Sequence, residues 1–229
     1  MQIMSERQAA RVAGLLFITA TVPFSLSVAV LEPVLGAPDY LAQLASSPGR
    51  VSAGVLLEIV NHVSVVAIAV VLYPILSRAS QRLAVGYVAV RSIEAALFAL
   101  ATTNLLMLTQ LSHASEATDA GALSALLLAG HDWNQVTLPF VAFSLGALIL
   151  NYTLYQARLV PRWIAVFGLL AAASILAARV LLISGVELGA GVVTAMDAPI
   201  FAQEMVFAVW LIARGFREDG EAGAAAGAG

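Results

Sequence analysis

The chain has 229 residues, of which 61% are hydrophobic and 11% charged, with a formal net charge of -3 and a mean hydropathy of +0.93. This composition lies well outside the soluble globular range, and no basic patch is dense enough to bind nucleic acid. There is no cysteine and no lysine, which excludes disulfides, thiolate nucleophiles, cysteine-ligated clusters and Schiff-base cofactors.

In chain order, Arg7 and Arg11 precede a first apolar stretch, Val12 to Leu31. It is longer than a signal-peptide core and lacks a small-x-small cleavage site before Glu32 and Pro33, so it reads as a retained helix. Pro38, Asp39 and Tyr40 open a short pattern with Leu41 and Leu44 on one side, which predicts a helix lying at the interface. A second stretch, Val51 to Leu76, leads through a tight turn with Arg78 and Arg82 to a third, Leu83 to Leu111. Asp119 then opens a short helix over Ala120 to Leu128, and His131 to Gln135 start the fourth stretch, Trp133 to Tyr155, at the outer surface. Pro139 predicts a kink within it. Arg158 and Arg162 lead into Trp163 to Ile183, and the last stretch, Val192 to Ala213, is followed by Arg214 and Arg217. About 20 apolar residues rising 1.5 Å each cross a hydrocarbon core about 30 Å thick. The expected fold is therefore all-α and polytopic. Residues 1–217 form one domain of six transmembrane helices, and 218–229 form a disordered Gly/Ala-rich tail.

Arginine placement predicts the orientation. The four segments holding Arg7/Arg11, Arg78/Arg82, Arg158/Arg162 and Arg214/Arg217 fall on one side of a six-span chain. Positive residues in short loops stay cytoplasmic, so both termini are expected there. The opposite loops carry Glu32, Asp39, Glu116, Asp119 and Asp132, with Arg50 as the one positive exception.

Ionisable residues inside the spans are the candidate site. A charge at mid-bilayer costs roughly 2.5 to 3.5 kcal/mol on insertion scales, so such residues face the bundle interior and find partners. Glu58, Asn61 and His62 share a face of span two by their i, i+3, i+4 spacing, and Arg91 and Glu94 share a face of span three. Span five contributes Arg179, and span six contributes Asp197 and Glu204, seven residues apart. The deep charges nearly balance, with Arg91 and Arg179 against Glu58, Glu94 and Glu204. One carboxyl is left over, and it calls for a proton, a protonated His62 or water. His131, with Asp132 to Gln135, forms either the rim of an outward-facing cavity or an ordinary interfacial turn. The candidate ligand-binding set is Glu58, Asn61, His62, Arg91, Glu94, His131, Arg179 and Glu204.

Several stretches resemble the bacterial integral membrane proteins grouped as domain-of-unknown-function 4386. They are Ala10 to Gly14 entering span one, Tyr87 to Glu94 in span three, Gly130 and His131 entering span four, and Leu154 to Gly168 around Pro161, Arg162 and Trp163. The resemblance implies a six-helix membrane fold, directs attention to Arg91, Glu94 and His131, and supplies no reaction. With the arginine pattern it implies a multi-pass protein of the bacterial cytoplasmic membrane.

Specific chemistries find little support. Glu58, His62, His131 and Asp132 offer zinc-binding atoms without zincin spacing, and helical rise sets His131 about 15 Å above His62. Haem would need two histidines at one depth. No G-x-S-x-G elbow is present, and Gly185, Gly189 and Gly191 lack the strand context of a phosphate cradle. No metal or cofactor is expected, and no catalytic residue is assigned. The leading reading is a small helical bundle with a buried, outward-facing polar site for a small molecule, ion or proton, acting in binding or transport. The alternatives are a membrane-embedded enzyme acting on a lipid-like substrate and a structural membrane scaffold. Polar residues are plentiful in the outer half, whereas below Arg91 the spans are nearly pure Ala, Val, Leu and Ile, interrupted by Asn151. That favours an outward-open cavity over a continuous pathway. The partners expected are the lipid bilayer and a small molecule, ion or lipid ligand. Alanine-rich faces at Gly121 to Ala129 and Ala171 to Ala178 suit packing within one bundle as readily as subunit contacts.

Overall fold

The computed structural model describes residues 4–114 and 120–217. The predicted tail at 218–229, and Glu116 and Asp119 of the outer loop, lie outside the described residues. The helices are α1 (Glu6–Leu35), α2 (Tyr40–Ser46), α3 (Pro48–Ala79), α4 (Gln81–His113), α5 (Ala120–Asp132), a π-turn (Trp133–Thr137), α6 (Leu138–Gln156), α7 (Arg162–Ile183) and α8 (Ala190–Ala213). Among the described residues there is no strand.

Local sequence explains where the helices begin and end. Ser5 and Gln8 form a reciprocal capping box at the start of α1, Pro48 opens α3 at a position where its missing N–H costs nothing, and the Ser80 hydroxyl accepts from the Leu83 N–H to start α4. Arg158, in the turn between α6 and α7, has the left-handed φ of 53°.

Six helices are long and apolar enough to cross a membrane: α1, α3, α4, the run Gly121–Gln156, α7 and α8. One boundary departs from expectation. The short outer helix and the fourth span are one continuous run, because α5 passes through the π-turn directly into α6. Pro139, which has no N–H to return to residue 135, sits just after that turn, and the Leu138 N–H reaches back five residues to the Trp133 carbonyl. The predicted interfacial helix is present as α2 and packs one face on the end of the bundle. Its Leu44 is fully buried with Leu31, Val34, Val51, Val55, Leu105 and Leu108, and its Tyr40 hydroxyl donates to Ser124 Oγ at 3.0 Å.

The long helices pack in a ring that follows chain order, α1 against α3, α3 against α4, α4 against α6, α6 against α7 and α7 against α8, with α8 closing onto α1. Their arginine-bearing ends gather at one end of the ring. Arg78 pairs with Glu6, Arg7 donates to the Ala213 carbonyl at 2.7 Å, and the Arg217 N–H bonds the Leu159 carbonyl at 2.9 Å. Nearby, Arg162 lies 5.1 Å from the Tyr155 ring centroid.

This end of the ring is sealed by close packing. Ala10, Ala13, Leu72, Leu76, Ala84 and Leu154 are all buried in one cluster. Gly14 lets α1 approach α8 so closely that a Cβ there would lie 2.7 Å from the Ala208 carbonyl oxygen. Lipid offers no hydrophobic incentive for helices to associate, so small residues that allow backbone contact supply the packing energy. Gly168 of α7 likewise leaves its space to the Asn151 amide.

Candidate functional site

The ring encloses a small central cavity of about 40 Å³, enough for about two or three waters. Arg91 and Glu94 lie about 15 and 20 Å above the start of α4, and Glu204 about 14 Å above the end of α8. All three line the cavity, together with Thr21 of α1 and Asn61 of α3. Arg91 is 3% exposed and Glu94 2%. The Arg91 guanidinium donates from Nη1 to both Glu94 oxygens, at 3.0 and 3.3 Å. It also stands over two rings, 5.9 Å from the Tyr87 centroid and 5.5 Å from that of Phe143. Glu204 accepts from the Thr21 hydroxyl at 2.9 Å, and Asn61 donates to the Ala20 carbonyl at 3.0 Å. Three buried polar atoms around this cluster have no partner: Asn61 Oδ1, Arg91 Nε and the Tyr87 hydroxyl.

Phenylalanines surround the charges. Phe24 contacts Phe98 and Phe140 at centroid distances of 5.6 and 5.7 Å and stacks on Phe201 at 6.5 Å. These rings line the cavity with the charged groups and keep bulk solvent from screening them, which strengthens every electrostatic contact inside. Toward the arginine end the cluster continues to Gln203, which donates to Asn151 Oδ1 at 3.2 Å, and then gives way to the sealed packing.

Glu58 forms a second polar set nearer the opposite end. It accepts from the Thr102 hydroxyl at 2.5 Å and from Gln135 Nε2 at 3.0 Å. His131 is buried beside it, with Nδ1 3.0 Å from the Ala101 carbonyl. Because that carbonyl can only accept, Nδ1 carries a proton. His131 is 4% exposed and lines the vestibule that opens above Gln135. The helix starts at Ala120, which carries His131 down to the level of Ala101, while His62 stacks on Phe98 one turn below. Most of the inferred 15 Å between the two histidines disappears. Above Gln135 a vestibule of about 380 Å³ opens between α1 and the α5 end of the fourth span.

Arg179 belongs to a third place. It is fully buried, donates to Asp197 Oδ2 at 2.5 Å, and lies 4.9 Å from the Phe140 ring centroid. The charge balance drawn from sequence set Arg179 against the three deep glutamates, whereas Asp197 takes it. Glu58 and Glu204 are thus both held by neutral donors rather than by a guanidinium ion pair.

His62 departs from its neighbours Glu58 and Asn61. It is half-buried, stacked on Phe98 at 5.5 Å and 10°, and lines a lateral apolar groove between α3 and α4 whose other walls are Val and Ala. This groove holds no second acid or base, so a lipid reaction would have His62 alone to work with. Among the described residues, no group of three or more His, Asp or Glu is placed to hold a metal ion.

Of the candidate residues, the structure thus brings Asn61, Arg91, Glu94 and Glu204 to one cavity, sets Glu58 and His131 together above it, and separates His62 and Arg179 from both. Sequence reasoning did not assign Thr21, Gln203 or the phenylalanine layer. Asp197 carried a signal in its seven-residue spacing from Glu204, and Gln135 in its distance of four from His131. Thr21 had none, since a threonine in an apolar helix most often bonds its own backbone.

Six apolar helices with ionisable residues in their core define a multi-pass helical membrane protein. The family model described as Domain of unknown function (DUF4386) matches residues 12–215, and the chain belongs to that family. No curated protein and no solved structure matches it.

Proposed function

We propose that the protein is a membrane-embedded binding bundle of transport type, in which the central cavity holds a proton or a small monovalent cation. The observation that carries this reading is the charge count in the cavity. Two carboxyl groups, Glu94 and Glu204, line the cavity with one guanidinium, Arg91, which pairs with Glu94. A buried carboxylate without a counter-charge is costly, so the second carboxyl needs a positive partner. The free Asn61 Oδ1 adds an oxygen acceptor beside it. A cavity of about 40 Å³ suits a proton with water or a partly dehydrated cation and excludes a metabolite.

The scaffold alternative would pair its buried charges one to one, and the second carboxyl beside the Arg91–Glu94 pair argues against it. By the positive-inside rule the arginine end is cytoplasmic, so the vestibule faces outward; the bacterial cytoplasmic membrane is the location that the family resemblance implies.

The test is infrared difference spectroscopy of the protein in phosphatidylglycerol nanodiscs, titrated with acid and, separately, with sodium or potassium chloride. The expected result is a carboxyl band that responds to one of these and is lost in Glu204→Gln. A wild-type protein without any such response, or a response that survives in both Glu204→Gln and Glu94→Gln, refutes the reading.

A further inference from the structure

The outer vestibule is a built site distinct from the central cavity, and we propose that it binds a small organic ammonium ion, a cationic nitrogen carrying an apolar body. Its volume of about 380 Å³ falls in the range of small-molecule pockets. Leu128, His131 and Asp132 of α5 and Gln135 and Val136 of the π-turn line one side of it, facing α1.

The polar atoms of this side and of the facing α1 are acceptors. Glu32 of α1 and Asp132 of α5 put two exposed carboxylates on the same cavity. Beneath them lies Gln135, 6% exposed. Its Nε2 is committed to Glu58, so its Oε1 is a carbonyl oxygen buried without a partner. A buried acceptor left idle is a cost that a ligand donor would relieve. His131 spends its Nδ1 proton on the Ala101 carbonyl, so that nitrogen is not free for a ligand. No arginine lines the vestibule, and its two carboxylates repel an anion.

The walls decide between an inorganic and an organic cation. Val28, Leu35, Leu128 and Val136 give the cavity more apolar than polar surface. A hydrated metal ion gains nothing from such walls, and among the described residues no group of three or more His, Asp or Glu is placed to hold one. An alkyl chain fits them, with its ammonium group directed at Asp132, Glu32 and Gln135. Ammonium groups occur on free amines and on the ethanolamine headgroup of lipids, and the site chemistry is the same for both.

The test titrates hexylammonium chloride into the full chain in phosphatidylglycerol nanodiscs by calorimetry, with empty discs as the reference for surface accumulation. Saturable binding is expected, with hexanol and hexanoate about tenfold weaker or worse. Asp132→Asn and Glu32→Gln should each weaken binding about tenfold, the effect of losing one charge-assisted hydrogen bond. Both side chains are exposed, so the melting transition should stay in place and report an intact fold. Adding phosphatidylethanolamine to the discs identifies the source: competition assigns the site to a lipid headgroup, its absence to a free amine, and either upholds ammonium recognition. Glu204→Gln should leave hexylammonium binding unchanged, which separates this proposal from the central-cavity reading. Equal affinity for hexanol, or wild-type affinity in the Glu32→Gln/Asp132→Asn double variant, overturns it.

Discussion

Replacing Arg91 by alanine should destabilise the bundle by about 3 kcal/mol. The guanidinium and its Glu94 partner are 3% and 2% exposed, so solvent cannot take over the lost hydrogen bonds at 3.0 and 3.3 Å. Removing one member of a buried ion pair costs about 3–5 kcal/mol, because the other charge stays behind uncompensated. Here Glu204 lines the same cavity, so two carboxyl groups lose their only nearby cation. The contacts with the Tyr87 and Phe143 rings go as well, at about 0.5–2 kcal/mol each. Water entering the enlarged cavity, and protonation of Glu94, return part of this, which sets the expectation near the lower end. The double variant Arg91→Met/Glu94→Leu removes both charges and should recover at least about 2 kcal/mol of the loss, since apolar replacements of a buried pair are often neutral. The assay is unfolding in mixed micelles on increasing the fraction of denaturing detergent, followed by circular dichroism. Arg158→Ala, in an exposed turn, serves as the reference and should stay within about 0.5 kcal/mol of the parent. If Arg91→Ala unfolds with the reference, or the double variant is less stable than the single one, the buried network does not carry the energy assigned to it.

Gly14→Ala should cost about 1–3 kcal/mol, because its Cβ would lie 2.7 Å from the Ala208 carbonyl and 2.8 Å from Ile212 Cγ1. Gly86→Ala, whose nearest neighbour would be Ile149 Cδ1 at 3.6 Å, should be neutral or slightly stabilising, and the same unfolding assay compares them. Arg179→Ala should lose about 2–3 kcal/mol by stranding Asp197, and adding Asp197→Asn should restore part of it; a further loss in the pair would count against the contact. Because the chain has no cysteine, single substitutions report topology directly. A membrane-impermeant maleimide added to intact cells should label Ser184→Cys and spare Gln81→Cys, and the reverse pattern would place the arginine end outside.

The spans were legible from the residues because bilayer thickness sets a length and arginine marks the ends. Val51 to Leu76 and Trp163 to Ile183 fall inside α3 and α7 with little to spare or nearly coincide with them. The Arg91–Glu94 pair was legible too, since three residues along one helix put two side chains on one face. The start of the fourth span was misread. The polar run from His131 to Gln135 looked like a surface, and nothing local announced that a π-turn would continue the helix through it.

What the sequence determined by itself is therefore the material and its layering: six apolar helices, their antiparallel order, and a set of ionisable groups confined to their interior depths. Those properties follow from backbone geometry and from the cost of charge in hydrocarbon, which act on each helix separately. Only the tertiary structure decided which charges meet. Arg179 finds Asp197 rather than a glutamate, Thr21 finds Glu204 across 183 positions of chain, and His62 turns to the lateral groove while Asn61 beside it turns inward. Those choices depend on how far each helix is rotated about its axis. The rotation is set by where Gly14, Gly168 and the phenylalanines let neighbouring helices approach, a property of pairs of helices that no single one encodes.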